Sequence, residues 1–242
     1  MQLLQNKHII VFGATGGIGQ SLCRRLSQSG AQLSLVARSE PALQALANEL
    51  SASFQSADVT NAASVKEAFD TLERPDGVVL AVGSIMLRSA HRLKDDEWHE
   101  TIQKNLDSAF YVVRNATKHM MKQGGSIVLV STAAAQIGFA NHEAIAAAKL
   151  GLEGLARASA ASYANRNIRV NVVAPGLVNT PLAAPIVNHT PTVEASTRMH
   201  SLGRIGTPED IAHAIQFLLE STWTTGQTLV VDGGLSGTKL PR

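Results

Sequence analysis

A chain of 242 residues can build one large α/β domain or two small ones, and 45% hydrophobic against 17% charged residues excludes intrinsic disorder. A net charge of +2 with no Lys/Arg run leaves no electrostatic footprint for nucleic acid. The single cysteine, Cys23, excludes an internal disulfide; with no signal core in residues 1–8 and no apolar run of membrane-spanning length, no membrane association and a cytoplasmic location are expected.

Strands are predicted at residues 8–12, 32–37, 53–57, 77–82, 126–131, 169–174 and 228–231. Most are short, apolar and β-branched, as suits strands buried on both faces. Helical periodicity fills the intervals at 18–29, 41–50, 62–72, 95–121, 141–164 and 208–219. The alternation predicts an α/β fold, a single-domain Rossmann-type doubly wound parallel sheet of about seven strands with helices on both faces. With aromatics at only 4%, Ala, Val, Leu and Ile must fill the core, with Cys23 as a small buried hydrophobe and Trp98 and Trp223 as packing anchors. No linker or repeat interrupts the chain, so residues 1–242 are assigned to one domain. The Pro-, Thr-, Asn- and Ala-rich segment 177–204 breaks the rhythm. It is long for a connection and follows the sixth strand, so it is assigned as a flexible substrate lid.

The first strand runs directly into Gly13-Ala14-Thr15-Gly16-Gly17-Ile18-Gly19. Glycine is required where the backbone turns sharply and approaches a pyrophosphate with no Cβ in the way, and the helix N-terminus behind it offers free N–H groups. Taken alone, the string also fits a tight turn without a ligand. The spacing Gly13-x-x-x-Gly17-x-Gly19 resembles the glycine motif of the short-chain dehydrogenase/reductase family, and further landmarks of that family follow in order over nearly the whole chain. Asp58-Val59 resemble the pair flanking adenine. Asn105 resembles the family's helix asparagine, and Pro175-Gly176 with Thr180 the segment beside the nicotinamide carboxamide. Residues 204–210 and 225–234 resemble its C-terminal signatures. The resemblance implies a nicotinamide dinucleotide bound by these residues, with Thr15 and Ile18 contributing from the glycine loop. The family's Asn-Asn-Ala-Gly stretch reads Leu80-Ala81-Val82-Gly83 here, which keeps Gly83 but predicts a looser loop.

The end of the second strand bears on the choice of dinucleotide. An acidic residue there would bind the ribose 2′-hydroxyl and repel a 2′-phosphate. This chain has Ala37-Arg38, and a guanidinium grips phosphate through paired, charge-assisted hydrogen bonds. NADP is expected over NAD. Arg38 as a plain surface charge is the alternative, and Gly16 stands where many NADP-using relatives carry a second basic residue.

In the family, a tyrosine phenol exchanges the proton on the substrate oxygen, and a lysine four residues later lowers the phenol's pKa and holds the nicotinamide ribose. A serine positions the oxygen, and the asparagine supports a water relay. The four-residue spacing sets tyrosine and lysine on one helix face. Here the stretch reads Ile145-Ala146-Ala147-Ala148-Lys149: the lysine matches, and Ile145 has no proton to give. Thr132 stands at the serine position, beside Ser131. Loss of a positioned acid forfeits about 10²–10⁴ in rate. His142, three residues before Ile145, is the candidate replacement acid or base; pocket lining and surface packing are its other readings. Asn141 is expected to cap the helix, which explains Glu143 as a first-turn carboxylate facing the helix dipole. His189 and His200 lie within reach of a substrate in the lid, and no histidine has metal-ligand spacing, so no metal is expected.

Two functions are compatible with this pattern. One is an NADP-dependent oxidoreductase that moves a hydride between nicotinamide and a small or medium carbonyl or alcohol, positioned by Asn105, Thr132 and Lys149, with His142 or solvent handling the proton. The other is a non-catalytic dinucleotide-binding sensor or scaffold, in which Lys149 keeps its ribose contact. The long, small-residue-rich helices at 95–121 and 141–164 are the family's subunit interface, implying a homodimer or homotetramer.

Overall fold

A computed structural model describes residues 3–238; Met1 and Gln2, and the last four residues of the assigned domain, lie outside the described residues. Seven strands form one sheet in the order β3-β2-β1-β4-β5-β6-β7, with every pair parallel. They are β1 (His8–Phe12), β2 (Gln32–Ala37), β3 (Ser53–Ser56), β4 (Gly77–Leu80), β5 (Gly125–Val130), β6 (Ile168–Pro175) and β7 (Thr228–Val231). The chain builds outward from β1 to β3, then returns to start the other half at β4. The crevice beyond the carboxyl ends of β1 and β4 is therefore the topological switch point, where ligands bind in open α/β sheets.

Alternate strand residues feed two cores. Ile9 and Val11 pack with Leu22 and Leu26 of α1 (Gly17–Gln28), Leu43 of α2 (Glu40–Leu50) and Ile215 of α10 (Pro208–Glu220). Ile10 and Phe12 pack with Phe69 of α3 (Ala62–Thr71), Val112 of α5 (Ser108–Met120) and Leu152 of α7 (Glu143–Tyr163). The period of two along the strands thus sorts the helices onto opposite faces. Cys23 lies in the first core, and burial pushes its thiol up to about 12. Trp223, expected as an anchor, is 98% exposed, and Trp98 is 37% exposed, so neither is a core residue.

The predicted helix at 95–121 is three pieces: α4 (Asp95–Ile102), a π-helical turn at Gln103–Asp107, and α5. The segment 177–204, expected to be flexible, is largely helical instead. It holds a 3₁₀ turn (Pro181–Ala183), α8 (Ala184–Val187) and α9 (Thr190–Met199). Each begins with a proline in its first turn, where the missing N–H costs nothing, so residues that read as loop formers are helix starters. A short α6 (Ala133–Ile137) follows β5. Among the described residues, no helix is long and apolar enough to cross a membrane.

Candidate active site

The loop leaving β1 is built from absent side chains. Gly13 has φ +82°, and a Cβ there would lie 2.6 Å from the carbonyl oxygen of Ala81. At Gly19 a Cβ would sit 2.0 Å from the Gly13 carbonyl oxygen. At Gly17 it would meet Cγ2 of Thr180 at 2.9 Å, so the glycine loop closes against the segment leaving β6. Thr180 is itself fixed, its hydroxyl accepting from the Ala183 amide at 3.3 Å. Helix α1 starts after Gly16 with no side-chain cap and no acidic residue in its first turn. Its first amides, among them Ile18 and Gly19, have no intrahelical acceptor and are free to take an anion. These residues fit a bound pyrophosphate.

Arg38 is exposed at the end of β2, and its guanidinium makes no hydrogen bond or ion pair among the described residues. Its charge is felt by Asp58, whose carboxyl is held below the usual range chiefly by the Thr60 amide at 2.9 Å, then by the Thr60 hydroxyl, Arg38 and Lys104. Val59 beside it is buried.

At the other end of the crevice, the π turn re-aims Asn105 inward, leaving it 1% exposed. Its Nδ2 donates to the Thr101 carbonyl and to Ser84 Oγ, both at 2.9 Å, and its Oδ1 accepts from the Ser84 amide at 3.1 Å. The loop after β4, expected to be loose for want of its own asparagines, is thereby fastened from outside. A Cβ on Gly83 would lie 3.0 Å from Asn105 Oδ1 and 3.2 Å from Lys149 Nζ, so these three residues meet at one point.

Lys149 is buried on α7, and its Nζ donates to the Val130 carbonyl at 2.7 Å. Burial pushes its pKa down to about 8. An ammonium has three donors, and this one hydrogen bond leaves two for a ligand. Thr132 caps α6, accepting from the Ala134 amide at 3.3 Å, and its hydroxyl stands 3.5 Å from the Pro175 carbonyl. Pro175 is buried, and a Cβ on Gly176 would meet His200 Nε2 at 2.7 Å.

The expectations for His142, Asn141 and His200 change here. His142 is the N-cap of α7, not a helical residue, so its relation to Ile145 is not that of two positions on one helix face. Its Nδ1 lies 2.9 Å from the Ala140 carbonyl, and its ring packs on Phe139. At seven positions before Lys149 it stands about 10 Å back along the helix axis. Asn141 does not cap the helix: it adopts φ +65°, and its carbonyl accepts from the Arg88 amide. Glu143 opens the first turn as expected, but its carboxylate also accepts from the Ala90 amide at 3.1 Å. His200 is 2% exposed and accepts at Nε2 from the Leu177 amide while Nδ1 donates to the Ser196 carbonyl, so it clasps α9 to the exit of β6 rather than facing a substrate. His189 is exposed beside Thr192 Oγ1. Ile145 is 5% exposed, one turn before Lys149.

Glu153 drew no notice in the sequence. It is 4% exposed, one turn after Lys149, and accepts from Ser131 Oγ at 2.7 Å. A second charge four positions along an apolar helix face was the available signal.

Comparison with known proteins gives a consistent result. Residues 13–236 match the family model described as Enoyl-(Acyl carrier protein) reductase. The chain is similar to carbonyl reductase family member 4 of Danio rerio, at 36% identity over 93% of this chain and 96% of the relative. It is also similar to the 3-oxoacyl-[acyl-carrier-protein] reductase FabG of Chlamydia pneumoniae, at 34% over 96% and 98%. Among solved structures, a short-chain type dehydrogenase/reductase from Mycobacterium ulcerans superposes with TM-score 0.92 at 28% identity, covering 96% of this chain and 90% of that one. A single-residue variant of actinorhodin polyketide ketoreductase, solved with NADPH, superposes with TM-score 0.91 at 26% identity, covering 96% and 98%.

Proposed function

The chain belongs to the short-chain dehydrogenase/reductase family, and from that premise we propose that it is an NADP-dependent oxidoreductase acting on a small or medium carbonyl or alcohol. The observation that carries the reading is the meeting of Lys149 Nζ and Asn105 Oδ1 over Gly83, across the switch point from the glycine loop. The nicotinamide supplies or takes up the hydride when bound. The first amides of α1 hold the pyrophosphate, Asp58 and Val59 flank the adenosine side, and Gly83 lets the cofactor approach the point where Lys149 and Asn105 meet. Pro175, Gly176 and Thr180 border the carboxamide. Arg38, with no partner among the described residues, takes the 2′-phosphate. The similar polyketide ketoreductase solved with NADPH supports that preference. The sensor or scaffold reading finds no support in these relatives, which are named as reductases.

Ile145 stands where the family carries its tyrosine, so the proton needs another holder. The N-cap position of His142 turns the assignment to Lys149 Nζ. A pKa near 8 keeps this amine mostly protonated at neutral pH while making it a better donor than an ordinary lysine. Thr132 steadies the substrate oxygen, and the segment 177–204 closes over it. Exposed Phe110 and Leu150 on α5 and α7, with open space at Gly154, support self-association through these helices.

The first experiment is binding: NADPH affinity by fluorescence, with NADH alongside. Arg38→Glu is expected to weaken NADPH by about 10²-fold, the worth of a charge-assisted phosphate contact, and to leave NADH nearly unchanged. No affinity for either dinucleotide sinks the reading. The second is turnover, followed as carbonyl-dependent oxidation of NADPH. Ile145→Tyr is expected to raise it about 10²-fold, whereas His142→Ala leaves it unchanged. A large loss in His142→Ala returns the proton to the imidazole.

A further inference from the structure

We propose that Glu153 is a positioning residue for the Lys149 site, holding the exit of β5 against α7 through the Ser131 hydroxyl. The buried face of α7 is apolar at Ile145, Ala148, Leu152 and Ala156, yet it carries two buried charged residues one turn apart, Lys149 and Glu153. They do not bond each other. Lys149 takes the carbonyl of Val130, and Glu153 takes the hydroxyl of the next residue, Ser131, both at 2.7 Å. The helix therefore grips one short piece of backbone from two directions, at the point where it turns into Thr132.

The rest of the carboxylate is equally occupied. Gln136 Nε2 reaches Oε1 at 3.3 Å and Oε2 at 3.4 Å, Thr228 Oγ1 donates to Oε2 at 3.3 Å, and Arg157 stands 3.8 Å from Oε2. A buried carboxylate is costly unless its acceptors are filled, and an apolar side chain of similar volume packs a helix face at less cost. What an apolar residue cannot do is hold Ser131. The Ser131 amide already donates to the Val173 carbonyl at 2.8 Å, so the Glu153 bond fixes the side-chain end of a residue whose backbone β6 holds. Together they set where the Val130 carbonyl points, and hence where Lys149 Nζ rests. The inference builds on the reading of Lys149 as the ammonium of the site.

The test compares Glu153→Gln, Glu153→Leu, Ser131→Ala and the double variant Glu153→Leu/Ser131→Ala. NADPH affinity is read in each, together with hydrogen exchange of the Ser131 amide in the ligand-free protein, against Val128 in mid-strand. Glu153→Gln still offers an oxygen to Ser131, and should bind NADPH within about 2-fold of the parent. Glu153→Leu and Ser131→Ala should each weaken NADPH by about 10-fold, the worth of one hydrogen bond. The double variant should be no weaker than Glu153→Leu, which already cuts the bond that Ser131→Ala removes. Exchange of the position-131 amide should quicken about 10-fold in Glu153→Leu and Ser131→Ala while Val128 holds. Unchanged NADPH affinity and unchanged exchange of the position-131 amide in Ser131→Ala, which nearly keeps the core volume, overturns the proposal; so do losses that multiply in the double variant. A parent protein that fails to bind NADPH removes the functional reading instead, and Ser131 exchange still decides the role of Glu153.

Discussion

Lys149→Met is expected to lower turnover by about 10³-fold and, at the same time, to make the ligand-free protein more stable. Both effects follow from one burial. The ammonium lies wholly inside the protein with a single backbone acceptor, and its pKa falls from 10.5 to about 8 because burial disfavours the charged form. At about 1.4 kcal/mol per pKa unit, that displacement costs the folded state about 3 kcal/mol at neutral pH. Methionine removes the charge and leaves the Val130 carbonyl without its donor, which returns about 1–2 kcal/mol. The net expectation is a gain of about 1–2 kcal/mol, seen as a higher Tm. The sign also fixes a pH dependence. Between pH 8 and 10.5 the unfolded chain binds more protons at this lysine than the folded one, so stability rises through that window. The parent's deficit is therefore fully present below pH 8 and gone above 10.5, and the Tm advantage of Lys149→Met should shrink over the same interval. Turnover of the parent should run the other way, falling above pH 8 with a slope of one proton as the amine loses what it donates. A parent enzyme with a flat profile to pH 10 refutes the assignment of the proton to Lys149.

The fold and the glycine loop were legible because their signals are local. β1, β2 and β7 have the bounds that their apolar runs predict, and the glycine loop declares itself by the spacing of residues whose side chains have no room. The catalytic end is legible only as far as its chemistry is written in residue types. Asn105 and Lys149 are found by their place in a family pattern, and the structure brings them together at Gly83. The π turn that aims Asn105 inward has no propensity signal, since it is a change of backbone register within a helical run. His142 misled because the start of α7 is set by the loop before it: Asn141 turns left-handed, its carbonyl is taken by Arg88, and the helix starts one residue beyond the imidazole. The prolines at 181, 185 and 191 misled for a related reason, because a first-turn proline and a loop proline are the same letter until the helix behind it is seen. Glu153 went unnoticed because a lone acidic residue on a helix usually faces water. Only the return of β5 and β7 to the same face of α7 makes it internal.

Gly19→Ala should be the most damaging single methyl group in the molecule. The added carbon would sit 2.0 Å from the Gly13 carbonyl oxygen and 3.0 Å from Ala14 Cα, and both are backbone, so no side chain can swing aside. Relief requires moving the start of α1 away from the loop that leaves β1, which separates the first amides of α1 from the turn that aims them. Overpacking of this kind costs about 3 kcal/mol, and loss of the aligned amides should weaken NADPH by about 10²-fold or more, read by thermal unfolding and by titration of cofactor fluorescence. The same substitution at Gly154 serves as the control. A Cβ there meets nothing within 4 Å, and alanine is the better helix former by about 0.5–1 kcal/mol, so Gly154→Ala should stabilise the subunit and leave NADPH binding intact. Opposite signs from one chemical change separate a glycine that the packing of α1 on its loop requires from one kept for some other contact. If Gly19→Ala binds NADPH as tightly as the parent, the turn after β1 is only a turn, and the anion site at the start of α1 must be abandoned.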